Sequence, residues 1–215
     1  MRRPEHRTAT SERVARRAAD ILVAGAALVV LAPVMAIIAV AIKLSTPGPV
    51  LFTQRRVGLD GQSFSFYKFR TMRIGGDDTA LRDLIAQELR GEDTSIGGSW
   101  KLDGDPRITR FGSFLRRTSL DELPQLINVL RGDMTLVGPR PCLEWEAEMF
   151  PSEFRERFTV RPGVTGLWQV SGRSTLGTLD MLRLDVDYVQ HKTLRGDVAI
   201  LARTVPVLLR TDGAR

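Results

Sequence analysis

The residues from Ile21 to Ile42 carry no charge. As a helix rising about 1.5 Å per residue they would reach about 33 Å, roughly the thickness of a bilayer core. No other feature restricts the fold as much, because so apolar a run is stable only when protein or lipid covers it. Pro33 sits near its middle. Inside a helix a proline removes one backbone hydrogen bond, and its ring crowds the preceding turn. Both flanks are basic, with Arg13, Arg16 and Arg17 before the run and Lys43, Arg55 and Arg56 after it. Basic residues beside a membrane segment favour the cytoplasmic side. One topology satisfies both flanks: the helix enters the bilayer, bends at Pro33 and leaves by the same face. The backbone groups freed at the bend then need new partners. On this reading 1–20 is a basic tail, 21–42 a re-entrant membrane helix and 43–215 a domain on the cytoplasmic face. A single-pass anchor is the alternative. A cleaved signal peptide fits less well, because the basic stretch is long and the apolar run exceeds the usual length.

Composition narrows the chemistry. A net charge of +6 and a pI of about 10.2 favour anionic partners. A soluble nucleic-acid binder is disfavoured by the apolar run, and no nucleic-acid motif is present. Cys142 is the single cysteine, so no intramolecular disulfide can form. His6 and His191 are the only histidines, which leaves no Cys/His metal cluster. A metal here would be hard and oxygen-bound, such as Mg²⁺. Neither a Walker nor a Rossmann phosphate loop appears.

The rest of the chain predicts an α+β, mainly helical fold. Asp60-Gly61 between two β-prone runs signals a hairpin. Alternation puts Phe64, Phe66 and Lys68 on one face. Lys68 and Arg70, at the strand's end, either bind phosphate or solvate an edge. Leu81–Leu89 predicts a short amphipathic helix and Trp100–Leu102 a short strand. A helix starting near Leu123 or Pro124 should stop at Gly132. Residues 144–158 form a helix interrupted near Pro151, and 179–192 another. The glycine-rich 161–173 reads as a loop with Arg161 and Arg173 at its ends. The tail from Asp197 to Leu209 suits an amphipathic helix in the membrane interface, or a packed one.

The stretch Arg116-Arg117-Thr118-Ser119-Leu120-Asp121-Glu122-Leu123-Pro124-Gln125 sets two arginines and two adjacent carboxylates ahead of a helix. Ser119-x-x-Glu122 fits a capping box, a purely structural role. That role leaves Asp121 and the arginines without a purpose. A positive helix end and the arginines would hold Asp121 ionised. Arg140, between Pro139 and Pro141, is a guanidinium on a stiff mount, or a salt bridge at a rim.

Four stretches together resemble the monotopic phosphoglycosyl transferases, bacterial sugar transferases that prime glycoconjugate assembly on polyprenyl phosphate. They are 67–72 (YKFRTM), 116–125 (RRTSLDELPQ), 132–141 (GDMTLVGPRP) and 161–173 (RPGVTGLWQVSGR). The resemblance runs from about residue 17 to about 205 and matches the small, catalytic-core type. It implies transfer of a sugar-1-phosphate from a UDP-sugar to polyprenyl (undecaprenyl) phosphate, with release of UMP. This would be the first membrane step of exopolysaccharide, capsule, O-antigen or glycoprotein assembly, at the bacterial inner membrane. The resemblance implies Asp121 as nucleophile, carrying a covalent phospho-sugar in a ping-pong cycle, and Glu122 as the Mg²⁺ ligand. It also implies Lys68, Arg70, Arg116, Arg140 and Arg173 at the phosphates, with Asp185 and Asp197 near the site. Relatives often carry Ser before the bend proline; this chain has Ala32. A membrane-anchored protein that binds phosphate or nucleotide sugar without catalysis is the competing reading. The sugar and the oligomeric state, homo-oligomer included, stay open.

Overall fold

The structure, a computed structural model, describes residues 6–73, 79–92, 94, 107–172 and 176–209. The expected strand at Trp100–Leu102 and Arg173 lie outside these residues. The basic stretch and the apolar run form one helix, α1 (His6–Ser45), so the segment read as a tail is already helical from His6. The helical run is continuous through Pro33. By length and composition α1 is able to cross a membrane.

α1 has two unlike faces. Ala24, Leu28, Met35, Ile38 and Ile42, alternating at helical spacing, pack into the protein core. Leu22, Val29, Val30, Ile37 and Leu44 are each at least 70 % exposed. Apolar surface left in water costs about 25 cal/mol per Å², so this face calls for a lipid cover. The start of α1 is fastened by polar contacts. Asp20, 6 % exposed, accepts from Leu136 N at 2.9 Å and from Thr135 Oγ1 at 2.8 Å. Arg17 donates to the carbonyls of Val129 (2.6 Å) and Leu130 (2.8 Å). Those carbonyls lie in the last turn of the helix α4 (Gln125–Arg131), where intrahelical donors run out.

The hairpin forms as expected. β1 (Leu51–Val57) pairs antiparallel with β2 (Ser63–Phe69), and Asp60 (φ 53°) and Gly61 (φ 74°) make the turn. Phe52 faces Lys68 and Arg56 faces Phe64 across the ladder. β3 (Thr135–Val137) and β4 (Cys142–Leu143) follow α4, and β4 adds to the free edge of β1. α2 (Thr79–Leu89) and α3 (Arg110–Thr118) lie between the hairpin and α4. Gly132 ends α4 in the left-handed region at φ 88°, as its sequence position predicted.

After β4 come α5 (Glu144–Met149) and a 3₁₀ segment, Ser152–Thr159, broken at Pro151 as expected. The stretch 161–173, read as a loop, instead contains β5 (Gly163–Thr165) and α6 (Leu167–Ser171). β5 pairs parallel with β3. The glycines there serve close backbone approach. A Cβ on Gly163 would come within 2.1 Å of Gly138 N, and one on Gly166 within 2.4 Å of Gly138 O. α7 (Thr178–His191) and α8 (Leu194–Leu209) close the fold. Ile200 of α8 is buried in the core, while Val198 and Val205 are exposed.

One buried amide joins the hairpin to α4. Asn128 is fully buried; its Nδ2 donates to Ser65 O at 2.6 Å and Asp133 Oδ2 at 3.1 Å, and its Oδ1 accepts from Tyr67 N at 3.1 Å. Asn128→Ala would leave a β2 donor and acceptor without partners. Each buried orphan costs about 1–3 kcal/mol. The variant should lose more than about 2 kcal/mol in denaturant unfolding; a smaller loss would mean that water replaces the amide.

Candidate active site

Two helices meet at the carboxylates. α3 ends at Thr118, and Ser119 turns the chain at φ 55°, its N–H bonded to Arg116 O at 3.2 Å. A left-handed conformation costs a non-glycine residue about 1–2 kcal/mol. Leu120–Glu122 then make a single 3₁₀ turn before α4 begins at Gln125. The capping box does not form: Ser119 gives this turn no side-chain cap, and Glu122 reaches across to β2 instead.

The turn presents Asp121 and Glu122 to a cavity of about 350 Å³. Lys68, Arg116 and Arg140 line it with them, and Leu84, Ile85 and Met181 supply an apolar part. Lys68 Nζ lies 2.8 Å from Glu122 Oε1 and 3.7 Å from Asp121 Oδ2. The Phe66 ring supports it from beneath at 5.6 Å. Arg140 Nη1 is 3.6 Å from Glu122 Oε1. Asp121 is 6 % exposed. Burial pushes its carboxyl above the usual range; Lys68 pulls it back most, Glu122 adds to the rise, and Arg116 and Arg140 oppose it. The direction is opposite to the one a helix end and nearby arginines alone would give. α4 starts four residues further on, and desolvation outweighs the neighbouring cations.

Arg140 is held through its backbone. Its carbonyl accepts from Arg157 Nη2 at 2.7 Å. Arg157 also bonds Asp185 Oδ2, at 2.7 Å from Nη2 and 3.1 Å from Nε, and lies 5.2 Å from the Phe150 and Phe158 rings. Burial works against the Arg157 charge, and Asp185 together with Cys142 more than restores it. Cys142, beside Arg157 at 3.2 Å, is a buried thiol whose pKa burial pushes up, so it stays protonated.

The expected site residues thus divide. Lys68, Arg116, Asp121, Glu122 and Arg140 come together at one cavity. Arg70 does not join them. It is 6 % exposed and donates to Pro47 O (2.7 Å) and to Thr46 O and Oγ1 (both 2.9 Å), tying β2 to the end of α1. The alternation that sends Lys68 to the cavity does not hold past Phe69, where β2 ends. Asp185 sits behind the cavity on Arg157, not in it. Asp197 pairs with Arg16 and receives the Tyr188 hydroxyl at 2.9 Å, fastening α8 to α1 and α7. Sequence reading missed Arg157, whose signal was a cation within reach of two phenylalanines, Phe150 and Phe158. Among the described residues no group of three or more His, Cys, Asp or Glu is arranged to hold a metal.

Comparison with known proteins places this geometry in a family. The model of the bacterial sugar transferases matches residues 11–211. The exopolysaccharide production protein ExoY of Sinorhizobium fredii is 38% identical over 205 residues, covering 94% of this chain and 88% of that protein. The UDP-glucose:undecaprenyl-phosphate glucose-1-phosphate transferase of Caulobacter vibrioides is 42% identical over 207 residues, 93% of this chain and 71% of that protein. The undecaprenyl-phosphate galactose phosphotransferase of Salmonella typhimurium is 41% identical over 95% of this chain, which spans 42% of that longer protein. With nearly its whole length matched, this chain belongs to the bacterial sugar transferase family and is a transferase.

Proposed function

We propose that the protein transfers a sugar-1-phosphate from a UDP-sugar to polyprenyl phosphate in two displacements on Asp121. The observation that carries this reading is the Asp121 carboxylate at a cavity ringed by Lys68, Arg116 and Arg140. Phosphoryl transfer asks for an in-line nucleophile and positive charge spread over the transferring oxygens. An Asp121 oxygen attacks the phosphorus that bears the sugar. The bond from that phosphorus to the UMP oxygen breaks, and UMP leaves with the electron pair. The phosphate oxygen of the lipid then attacks the same phosphorus, the Asp121–phosphorus bond breaks, and polyprenyl-diphosphate-sugar departs with Asp121 restored. Arg140 and Arg116 offer guanidinium forks suited to diphosphate oxygens. Lys68, now 2.8 Å from Glu122, supplies a compact charge beside the nucleophile.

Four carboxylates line the cavity; Glu88 and Glu146 are bonded to Thr178 and to the Leu143 N–H, which leaves Asp121 and Glu122 as the hard oxygen donors beside the cations. Mg²⁺ takes one or two carboxylates and fills its shell with water and substrate phosphates, so the pair fits it, with Glu122 as the holding residue. When bound, the metal would offset charge on the leaving UMP.

The bilayer placement has structural support. Asp20, just before the apolar run, and Ile42, at its end, both pack on the same folded domain. That domain's polar surface stays in water, which supports a placement of both ends of the apolar run at one membrane face, and the basic flanks favour the cytoplasmic one. α1 then enters and leaves by that face, with Pro33 weakening the helix where a bend is needed. The Asp121–Glu122 pair speaks against a binding-only role, since burying the Asp121 carboxylate beside a second one is costly without a use.

Asp121→Asn tests the nucleophile. UMP release from a panel of UDP-sugars with undecaprenyl phosphate and Mg²⁺ should fall by several orders of magnitude; retained turnover would remove Asp121 from this role. The same variant tests the burial cost. A carboxyl whose folded pKa is raised stabilises the fold below its unfolded pKa and loses that contribution as pH rises through the folded value. The variant should therefore melt at or above the parent at pH 7, with the difference shrinking as pH falls towards about 4. A lower melting temperature at pH 7 would show that the Lys68 contact outweighs burial.

Topology is open to labelling. In a Cys142→Ser background, Ser11→Cys and Pro49→Cys should both react with an impermeant maleimide in inverted inner-membrane vesicles. Reaction at only one of them would establish a single pass.

A further inference from the structure

Two polar atoms at the cavity take no part in the chemistry above. The indole Nε1 of Trp168 and Oε1 of Gln169 are buried, and among the described residues neither has a hydrogen-bond partner. Both residues line the cavity that holds Asp121. Buried polar atoms are nearly always paired, so two orphans at one cavity point to a ligand. Gln169 is 7 % exposed, and its Nε2 donates to Val164 O at 3.3 Å. That bond fixes which end of the amide is bare: Oε1 is the atom left over. Both side chains stand on α6, which packs against α7 and α8, so they are mounted on a rigid element.

The two atoms differ in what they accept. Gln169 Oε1 is an acceptor and needs an N–H or O–H. A diphosphate at neutral pH offers neither, and its charge belongs with Lys68, Arg116 and Arg140. The polyprenyl phosphate offers no such donor either. Trp168 Nε1 is only a donor. A neutral group that carries both a donor and an acceptor satisfies the pair. A UDP-sugar has this chemistry in its nucleoside, at the uracil N3–H and its flanking carbonyls, and again in the sugar hydroxyls. We infer that Trp168 and Gln169 form the subsite that reads the neutral, hydrogen-bonding part of the nucleotide sugar, Trp168 donating through Nε1 and Gln169 accepting at Oε1. The inference rests on the UDP-sugar reading given above.

Trp168→Phe keeps a ring and removes the N–H; Gln169→Met keeps the length and removes the acceptor. Release of UMP by the parent protein from UDP-glucose or UDP-galactose tests the reading itself. Calorimetric binding of UDP-glucose, UDP-galactose and UDP to parent and variants tests the subsite without turnover. Each variant should bind the UDP-sugar the parent prefers about tenfold more weakly, while the KM for undecaprenyl phosphate stays unchanged. An equal loss for UDP places the nucleoside on the pair, and an unchanged affinity for UDP places the sugar there. UDP-sugar affinity unchanged in both folded variants overturns the inference, and so does a matching loss for the lipid substrate. Should Gln169→Met fail to melt cooperatively, Trp168→Phe carries the test alone.

Discussion

The amide of Asn128 sets the register between the two halves of the site. It bonds the Ser65 carbonyl and the Tyr67 N–H on one edge of β2, one residue short of Lys68. It stands on α4, the helix that follows Asp121 and Glu122 directly. Lys68 therefore reaches Glu122 at 2.8 Å because a strand and a helix distant in sequence are locked at one point. All three of its hydrogen bonds are internal to the fold. A buried amide so fully used specifies one arrangement, since a slip by one residue would strand every partner. Arg140 is set with the same kind of remoteness. Its backbone hangs on Arg157, and Arg157 on Asp185.

α1 is a part of the domain as much as an anchor to it. Its first third is bound by polar contacts to α4, β3 and α8, through Arg17, Asp20 and Arg16. Its later half lends Ile38 and Ile42 to the cluster that includes Phe69 and Leu115. Leu115 lies on α3, immediately before Arg116. The membrane segment and the site thus share a hydrophobic cluster. Under the proposed function this has a use: the lipid phosphate must meet a soluble nucleotide sugar at a fixed depth, and α1 sets that depth through the core itself.

Much of this was legible in the sequence, and the parts that were not have physical causes. The hairpin, the stop at Gly132 and the break at Pro151 are local events, written in residues with special φ preferences. The cluster of Lys68, Arg116, Asp121, Glu122 and Arg140 was legible through motif resemblance, because charges in such patterns have few structural uses. The stretch 161–173 misled because glycine signals two things. Flexibility was the reading; close approach of Gly163 and Gly166 to Gly138 is the fact. Arg70 and Asp197 were placed at the site by resemblance; in the structure Arg70 bonds Thr46 and Pro47 just past α1, and Asp197 pairs with Arg16 on α1. Sequence spacing cannot show which buried charge finds its partner inside the fold. Nor could it weigh the desolvation of Asp121 against the cations around it.

That last balance decides how the site is built. A carboxylate exposed to water would be ionised but shielded from the substrate phosphorus by hydration. A fully buried one would be protonated and inert. Asp121 stands between, buried enough to be raised yet with Lys68 3.7 Å away as the chief opposing charge. Ser119 adds conformational strain in the same turn. Local instability of this kind persists only where surrounding structure over-determines the geometry, and here α3, α4 and β2 do so from three sides. The strained turn and the buried carboxylate are thus one feature: each lowers stability by itself, and together they hold a poorly solvated carboxylate at a cavity lined with cations. An incoming diphosphate would be drawn by the same cations that favour the charged form of Asp121. On the proposed mechanism, binding of the donor and activation of the nucleophile draw on one set of charges. This gives the rigid mounting of Lys68 and Arg140 its purpose.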